Sequence, residues 1–206
     1  MNLARNMRII GSCSAILCHL LATYLMADQN SRLLLDDARA RLVRIELREN
    51  AQYQLTCSSA CGTVWISLDS GVFVEALDGN ARPTAVGEAH AITAGQIVTF
   101  RGRQPSGGRL IVLVPHAIHQ PLTVLSQTLS PGSEQDDASS RNETLIVAVT
   151  PVGLRDTWNI GDESSWIPSA PRIINLRPEQ ASWLPPGTHH LRNVLKAPSQ
   201  FVTVEW

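Results

Sequence analysis

The chain of 206 residues is predicted to be mostly β, an antiparallel sandwich or barrel built from two related modules. Short segments of alternating polar and apolar residues recur through residues 41–206 at intervals of about ten, the spacing of such folds. Gly, Asp and Pro punctuate the intervals. No segment in 41–206 sustains a helical period. Hydrophobic residues make up 44% and charged residues 17%, enough to bury a core and incompatible with global disorder. The formal net charge is −1 and Lys196 is the only lysine. Arginines such as Arg82, Arg103 and Arg155 form no run, so the cationic patch that nucleic acid demands is missing.

The elements follow in order. Residues 1–27 differ from the rest: Arg5 and Arg8 precede the uncharged, largely apolar run Ile9–Ala27, which Asp28 ends. That pattern predicts a secretory signal peptide cleaved after Ala27 or, since Leu25 is bulky for a recognition position, an uncleaved membrane anchor. Either places the protein in the periplasm or anchored facing it, with the segment engaging the membrane or the export machinery. The alternative is a cytoplasmic protein whose true start is Met26. Residues 28–40 fit a short helix or an extended lead-in. In "RLVRIELREN", Val43, Ile45 and Leu47 alternate with Arg44, Glu46 and Arg48, a half-buried strand. "AQYQLTC", "GTVWISLDSG", "VFVEAL", "AHAITAG", "QIVTFRG" and "RLIVLVPH" continue the series, giving a first module over 41–125. Residues 126–143 hold one Leu and no other large apolar residue, and are expected as a flexible linker or loop. "TLIVAVT", "RIINLRP", "EQASWLPPG" and "QFVTVEW" build a second module over 144–206. The halves "AHAITAGQIVTFRGRQPSGGRLIVLV" and "RIINLRPEQASWLPPGTHHLRNVLKAPSQFVTVEW" share a pattern of strand, Gly or Pro corner, strand, polar loop and β-branched strand, as two copies of one unit would.

Cys13 and Cys18 lie in the apolar N-terminal run, which leaves Cys57 and Cys61 in "TCSSACG". In an exported chain this pair predicts a disulfide, which needs the chain to turn back at Ser58–Ser59 so that the Cα atoms come within roughly 7 Å. Two separate structural thiols are the alternative. A zinc site would want two more soft ligands.

"LRPEQASWLPPGTHHLRN" resembles the second motif of the cupin superfamily, in which P-x-G is followed by a His after two residues and an Asn after three more. Pro185, Pro186 and Gly187 supply P-x-G. His190 has the family's distance from the glycine, while His189 has the family's distance from Asn193. The resemblance implies a pair of cupin-like β-barrels. In that family a divalent metal is held by three or four ligands, mostly from an H-x-H pair and a Glu, and this sequence has no H-x-H. A composite site of Glu88, His90 and His190 would draw on both modules. The opposed reading is a degenerate cupin in which His189 and His190 face solvent in a turn. His116 and His119, three apart, would sit on opposite faces of a strand.

No G-x-S-x-G elbow or glycine-rich phosphate loop is present. Trp65, Trp158, Trp166, Trp183 and Trp206 suit a core or a ligand cage, with Trp158 and Trp166 flanking the acidic loop "NIGDESS". The expected function is a non-catalytic cupin-like ligand-binding or sensory protein of the bacterial envelope. Its small-molecule or protein partner would meet Trp166, Trp183, His189 and His190 at the mouth of the second barrel, and a homodimer is compatible with the pattern. The alternatives are a metal-dependent cupin enzyme, an isomerase or oxygenase, and a structural β-protein of an envelope assembly.

Overall fold

The computed structural model describes residues 31–57, 62–75, 81–103, 107–117, 121–140, 144–160, 167–168 and 170–206, with backbone alone at 137–140, 160, 167 and 168. Cys61, Trp166, His119 and the N-terminal segment lie outside the described residues. All regular structure described is β. The first half supplies β1 (Ser31–Asp36), β2 (Ala40–Leu47), β3 (Gln52–Thr56), β4 (Thr63–Ser67), β5 (Val72–Glu75), β6 (Ala81–Pro83), β7 (Ala89–Ile92), β8 (Ile97–Gly102) and β9 (Gly108–Pro115). The second supplies β10 (Thr123–Leu129), β11 (Glu134–Ser140), β12 (Thr144–Ala148), β13 (Val152–Ile160), β14 (Ile167–Pro168), β15 (Arg172–Leu176), β16 (Ala181–Leu184), β17 (Gly187–Asn193) and β18 (Ser199–Glu205). The lead-in is therefore extended.

The strands form four antiparallel sheets, two per half: β1-β2-β9-β4-β7 with β3-β8-β5-β6, then β10-β18-β12-β16 with β11-β17-β13-β14, β15 also pairing with β13. Set aside β1, and the strand order repeats. β2-β9-β4-β7 corresponds to β10-β18-β12-β16, and β3-β8-β5-β6 to β11-β17-β13 with its two short partners. The internal repeat read from the sequence is thus a repeat of topology.

Residues 126–143 are not a linker. They contain most of β10 and all of β11, so the second module begins at β10 and not at residue 144. Both strands are sheet edges, where one side stays wet and polar residues are tolerated. β10 turns Gln127 and Leu129 inward and pairs with β18 from Thr123↔Glu205 to Leu129↔Ser199.

The modules pack back to back. Ala40, Leu42, Val64, Ile66, Ile111 and Leu113 from the five-stranded sheet meet Leu145, Val147, Val202 and Val204 from the β10-β18-β12-β16 sheet, all fully buried. Burial on both faces explains the unbroken runs "TVWIS" in β4 and "TLIVA" in β12, where every residue is buried. Each such Val, Leu or Ile contributes roughly 1.5–3 kcal/mol, so two separated modules would expose a large apolar face. Inside the first barrel Val43, Ile45, Trp65, Val72, Phe100 and Val112 pack together. Inside the second, Ile146, Ala148, Val152, Leu154, Ile174, Leu191 and Phe201 do so.

Candidate functional site

On β13 the inward positions run Val152, Leu154, Asp156, Trp158. The first two join the apolar core, and Asp156 is fully buried among it. On β17 they are His189, Leu191 and Asn193, all nearly or fully buried. Cross-strand register sets Trp158 opposite His189, Asp156 opposite Leu191 on one side, and Asp156 opposite Arg172 of β15 on the other. These pairings bring Arg172, Asp156, Trp158 and His189 together in the second barrel.

The hydrogen bonds define the site. Arg172 Nε donates to Asp156 Oδ2 at 2.8 Å. Asp156 Oδ1 lies 2.9 Å from His189 Nδ1, and His189 Nε2 lies 2.8 Å from the Pro185 carbonyl oxygen. The Arg172 guanidinium carbon stands 5.0 Å from the Trp158 ring centroid, and the Trp158 and His189 rings stack at 6.4 Å. Both ring nitrogens of His189 are thus engaged by oxygens of the chain itself. Arg172 Nη2 is buried with no hydrogen-bond partner among the described residues.

The P-x-G corner positions this cluster. Pro185 presents its carbonyl to His189. Gly187 has φ of 141°, and a Cβ there would come within 2.6 Å of the Asn159 carbonyl oxygen, so only glycine lets β17 approach β13 this closely. Asn193 closes the other end: its Nδ2 donates to the Leu129 and Ala197 carbonyls at 2.8 and 2.9 Å, and its Oδ1 accepts from Leu195 N at 2.9 Å.

Of the residues singled out from sequence, His189 and Trp158 enter this cluster. His189 is only 2% exposed and is not a solvent-facing turn residue, because the strand begins at Gly187 and alternation turns His189 inward. His190 points to the opposite face of the sheet, where Asp136 and Asn159 contact it. Trp183 also faces away from the barrel. It packs in the seam between modules, donating to Asp37 Oδ2 at 2.8 Å, under Arg39 and against Trp206. Cys57 is buried in the first core, and its expected partner Cys61 lies outside the described residues. Arg172 and Asp156 escaped the sequence reading, although the signal was there: in "VGLRDTWNI" the alternation places an aspartate in phase with Val152 and Leu154.

The first barrel is instructive by contrast. Val74 pairs with Phe100 and Arg82 as Asp156 pairs with Leu191 and Arg172. The equivalents of Asp156 and Arg172 are therefore Val74 and Arg82, and Val98 occupies the place of His189. With its carboxylate and histidine replaced by valines, the first interior is apolar. Arg82 turns instead to Glu88, donating through both terminal nitrogens, and Glu88 Oε1 lies 3.1 Å from His90 Nε2. Arg82 holds the Glu88 carboxyl down to about 2, against an opposing push from burial. Glu88 and His90 thus meet at the first barrel, while His190 is on the second module. Among the described residues no three His, Cys, Asp or Glu converge. A divalent metal does not fit the second barrel either, since both His189 nitrogens and both Asp156 oxygens are already taken by partners within the chain. A separate cleft of about 560 Å³ opens between β1 and the turn that joins β15 to β16.

No family model matches the sequence, and no curated protein matches it. Solved structures share its fold. The conserved protein of unknown function PA5104 from Pseudomonas aeruginosa PAO1 is 13% identical, with 85% of this chain and 87% of that chain covered and a TM-score of 0.60. The oxalate decarboxylase of Lactobacillus farciminis, in its formate complex, is 10% identical over 84% and 80%, with a TM-score of 0.58. A cupin 2 conserved barrel domain protein from Leptotrichia buccalis is 9% identical over 89% and 93%, with a TM-score of 0.47. The fold is cupin-like, as the P-P-G corner led one to expect.

Proposed function

We propose that this cupin-like protein is a non-catalytic ligand-binding protein of the bacterial envelope, and that the second barrel holds the ligand. One observation carries the reading: a buried Asp156–His189 pair beside Trp158, held by the partly exposed Arg172 and placed where the sister barrel has two valines. Burying polar groups is costly, and the first barrel demonstrates that the topology does not require them. The apolar run Ile9–Ala27 supports a place beyond the cytoplasmic membrane. The metal-enzyme reading lacks a donor set among the described residues.

The test is a small-molecule screen by thermal shift on the purified full chain, followed by titration of each hit against an Asp156→Val/His189→Val variant. Binding lost in the variant supports the site. Hits that bind the variant equally well overturn it. For location, cell fractionation decides: the chain recovered only from cytosol and beginning at Met26 would overturn the envelope assignment.

A further inference from the structure

Away from the second barrel, we propose that the cleft between the modules takes an extended acidic peptide of a partner protein, which adds to β1 as a further strand. β1 is the outer strand of its sheet and pairs with β2 alone among the described strands. Every second N–H and C=O of an outer strand points away from the one neighbour it has. The cleft of about 560 Å³ lies on that side, lined by Arg32, Leu33, Leu34 and Leu35 in unbroken succession. Successive side chains leave a strand on opposite faces, so a cleft lined by four in a row is walled by the edge of the strand. An open edge beside a cleft is the setting in which an extended peptide gains main-chain hydrogen bonds. The volume falls in the ordinary range of ligand sites, roughly 300–1,000 Å³.

The opposite wall is the turn between β15 and β16, and it is fixed in place. Arg177 N donates to Gln180 Oε1 at 2.8 Å, Gln180 N donates to the Arg177 carbonyl at 3.1 Å, and Glu179 is bound to Arg44 and Arg109. The gap is therefore preformed, which lowers the cost of filling it. Strand register assigns the two faces of an incoming peptide. Arg32 pairs with Arg44, whose side chain reaches Glu179 on the turn, while Leu33 pairs with Val43 of the first core. One face of the peptide meets Arg32 and Arg177, and the other covers Leu33, which is 42% exposed. Both arginines are exposed, and neither is ion-paired among the described residues. Water satisfies them, so they do not demand a ligand; they select an acidic one over a basic one. The charge of Glu179 is already met by its two arginines. β1 also bulges at Leu34. A bulge discourages unbroken pairing with another sheet edge, which favours a short peptide over the β1 of a second copy.

The experiment titrates the full chain with a capped pentapeptide of alternating valine and glutamate and follows amide hydrogen exchange across residues 31–36. Its lysine counterpart tests charge. The same glutamate peptide with every amide nitrogen methylated keeps the side chains but cannot donate to a strand. Saturable slowing of exchange within 31–36 is expected with the glutamate peptide and none with the methylated one. Arg32→Gln and Arg177→Gln should each weaken the glutamate peptide by about 2–5-fold, the weight of an exposed ion pair, and the lysine peptide should bind weaker still. Arg192→Gln, exposed on β17, should change nothing. Affinity that is indifferent to both cleft arginines, or equal for the two charged peptides, overturns the proposal. So does binding that leaves exchange in 31–36 unchanged, or a titration that never saturates. If every amide of 31–36 is already protected in the free chain, the edge is taken, by the N-terminal segment in a monomer or by a second copy in a dimer, and the proposal falls. The ligand of the second barrel is tested separately and stands or falls by its own variant.

Discussion

Glu179 turns through a φ of 72° and sets its carboxylate 2.9 Å from Arg44 and 3.1 Å from Arg109, tying the β15–β16 turn of the second module to β2 and β9 of the first. A left-handed glutamate costs of order 1–3 kcal/mol and persists only where its surroundings hold it. Here its own N–H donates to the Ala148 carbonyl at 2.8 Å and two guanidinium groups hold the side chain. Glu179→Gln keeps the backbone and loses the charge. It should cost about 1 kcal/mol and lower Tm by about 2–4 °C for a chain of this size. Calorimetry at low and high salt checks this, since the difference should shrink in salt. An unchanged Tm at low salt would show that the apolar seam alone holds the modules.

The buried cluster predicts non-additivity. Asp156→Asn puts an NH2 donor where a carboxylate oxygen faces the Arg172 or His189 nitrogen and should cost about 3–5 kcal/mol. Asp156→Val combined with His189→Val reproduces the apolar pair Val74 and Val98 of the sister barrel, leaves Arg172 room to turn to solvent, and should cost less than Asp156→Asn. Urea unfolding of both variants measures the order, and the reverse order would refute the structural equivalence of the two interiors.

Trp183 separates packing from binding. Trp183→Phe removes the indole donor to Asp37 and weakens the contact with Arg39. Burial pushes the Asp37 carboxyl up, but the N–H groups of Arg39 and Ala40 together with the Trp183 indole bring it below its ordinary value. The substitution should cost about 1–2 kcal/mol and leave the affinity of the thermal-shift hits unchanged. A binding defect at intact stability would return Trp183 to the ligand site.

Acid should expose the Glu88 pair. Its folded carboxyl lies at about 2, below the ordinary 4.5, with Arg82 the chief cause. A depressed folded value means the unfolded chain binds the proton more readily, so the contribution to stability is complete above about 4.5 and disappears as pH falls toward 2. The stability difference between wild type and Glu88→Gln, measured by urea unfolding across that window, should shrink to nothing. A difference independent of pH would show that Arg82 does not act on Glu88.

Much of the architecture was legible because strand alternation and corner residues are local. "RLVRIEL", "TVWIS" and "QFVTVE" became β2, β4 and β18, and Pro185-Pro186-Gly187 marked the corner that sets β17. The polar run 126–143 misled because an edge strand with one wet face carries little apolar signal of its own. The two adjacent histidines show the limit most sharply. P-x-G spacing pointed to His190 and the distance to Asn193 pointed to His189, and a shift of one residue along a strand exchanges the faces. The choice fell to β17 pairing with β13, which turns His189 to the interior.

By itself the sequence determined the class of fold, the repeat, the corner and the apolar N-terminal run, since each rests on residue types at short spacing. Tertiary structure decided which of the paired sheets is buried twice, that Trp183 seals a seam and not a pocket, and that Arg172, Asp156 and His189 meet although they are spread over β15, β13 and β17. The reason is physical: burial and charge compensation depend on what lies across the sheet, and strands far apart in sequence supply it.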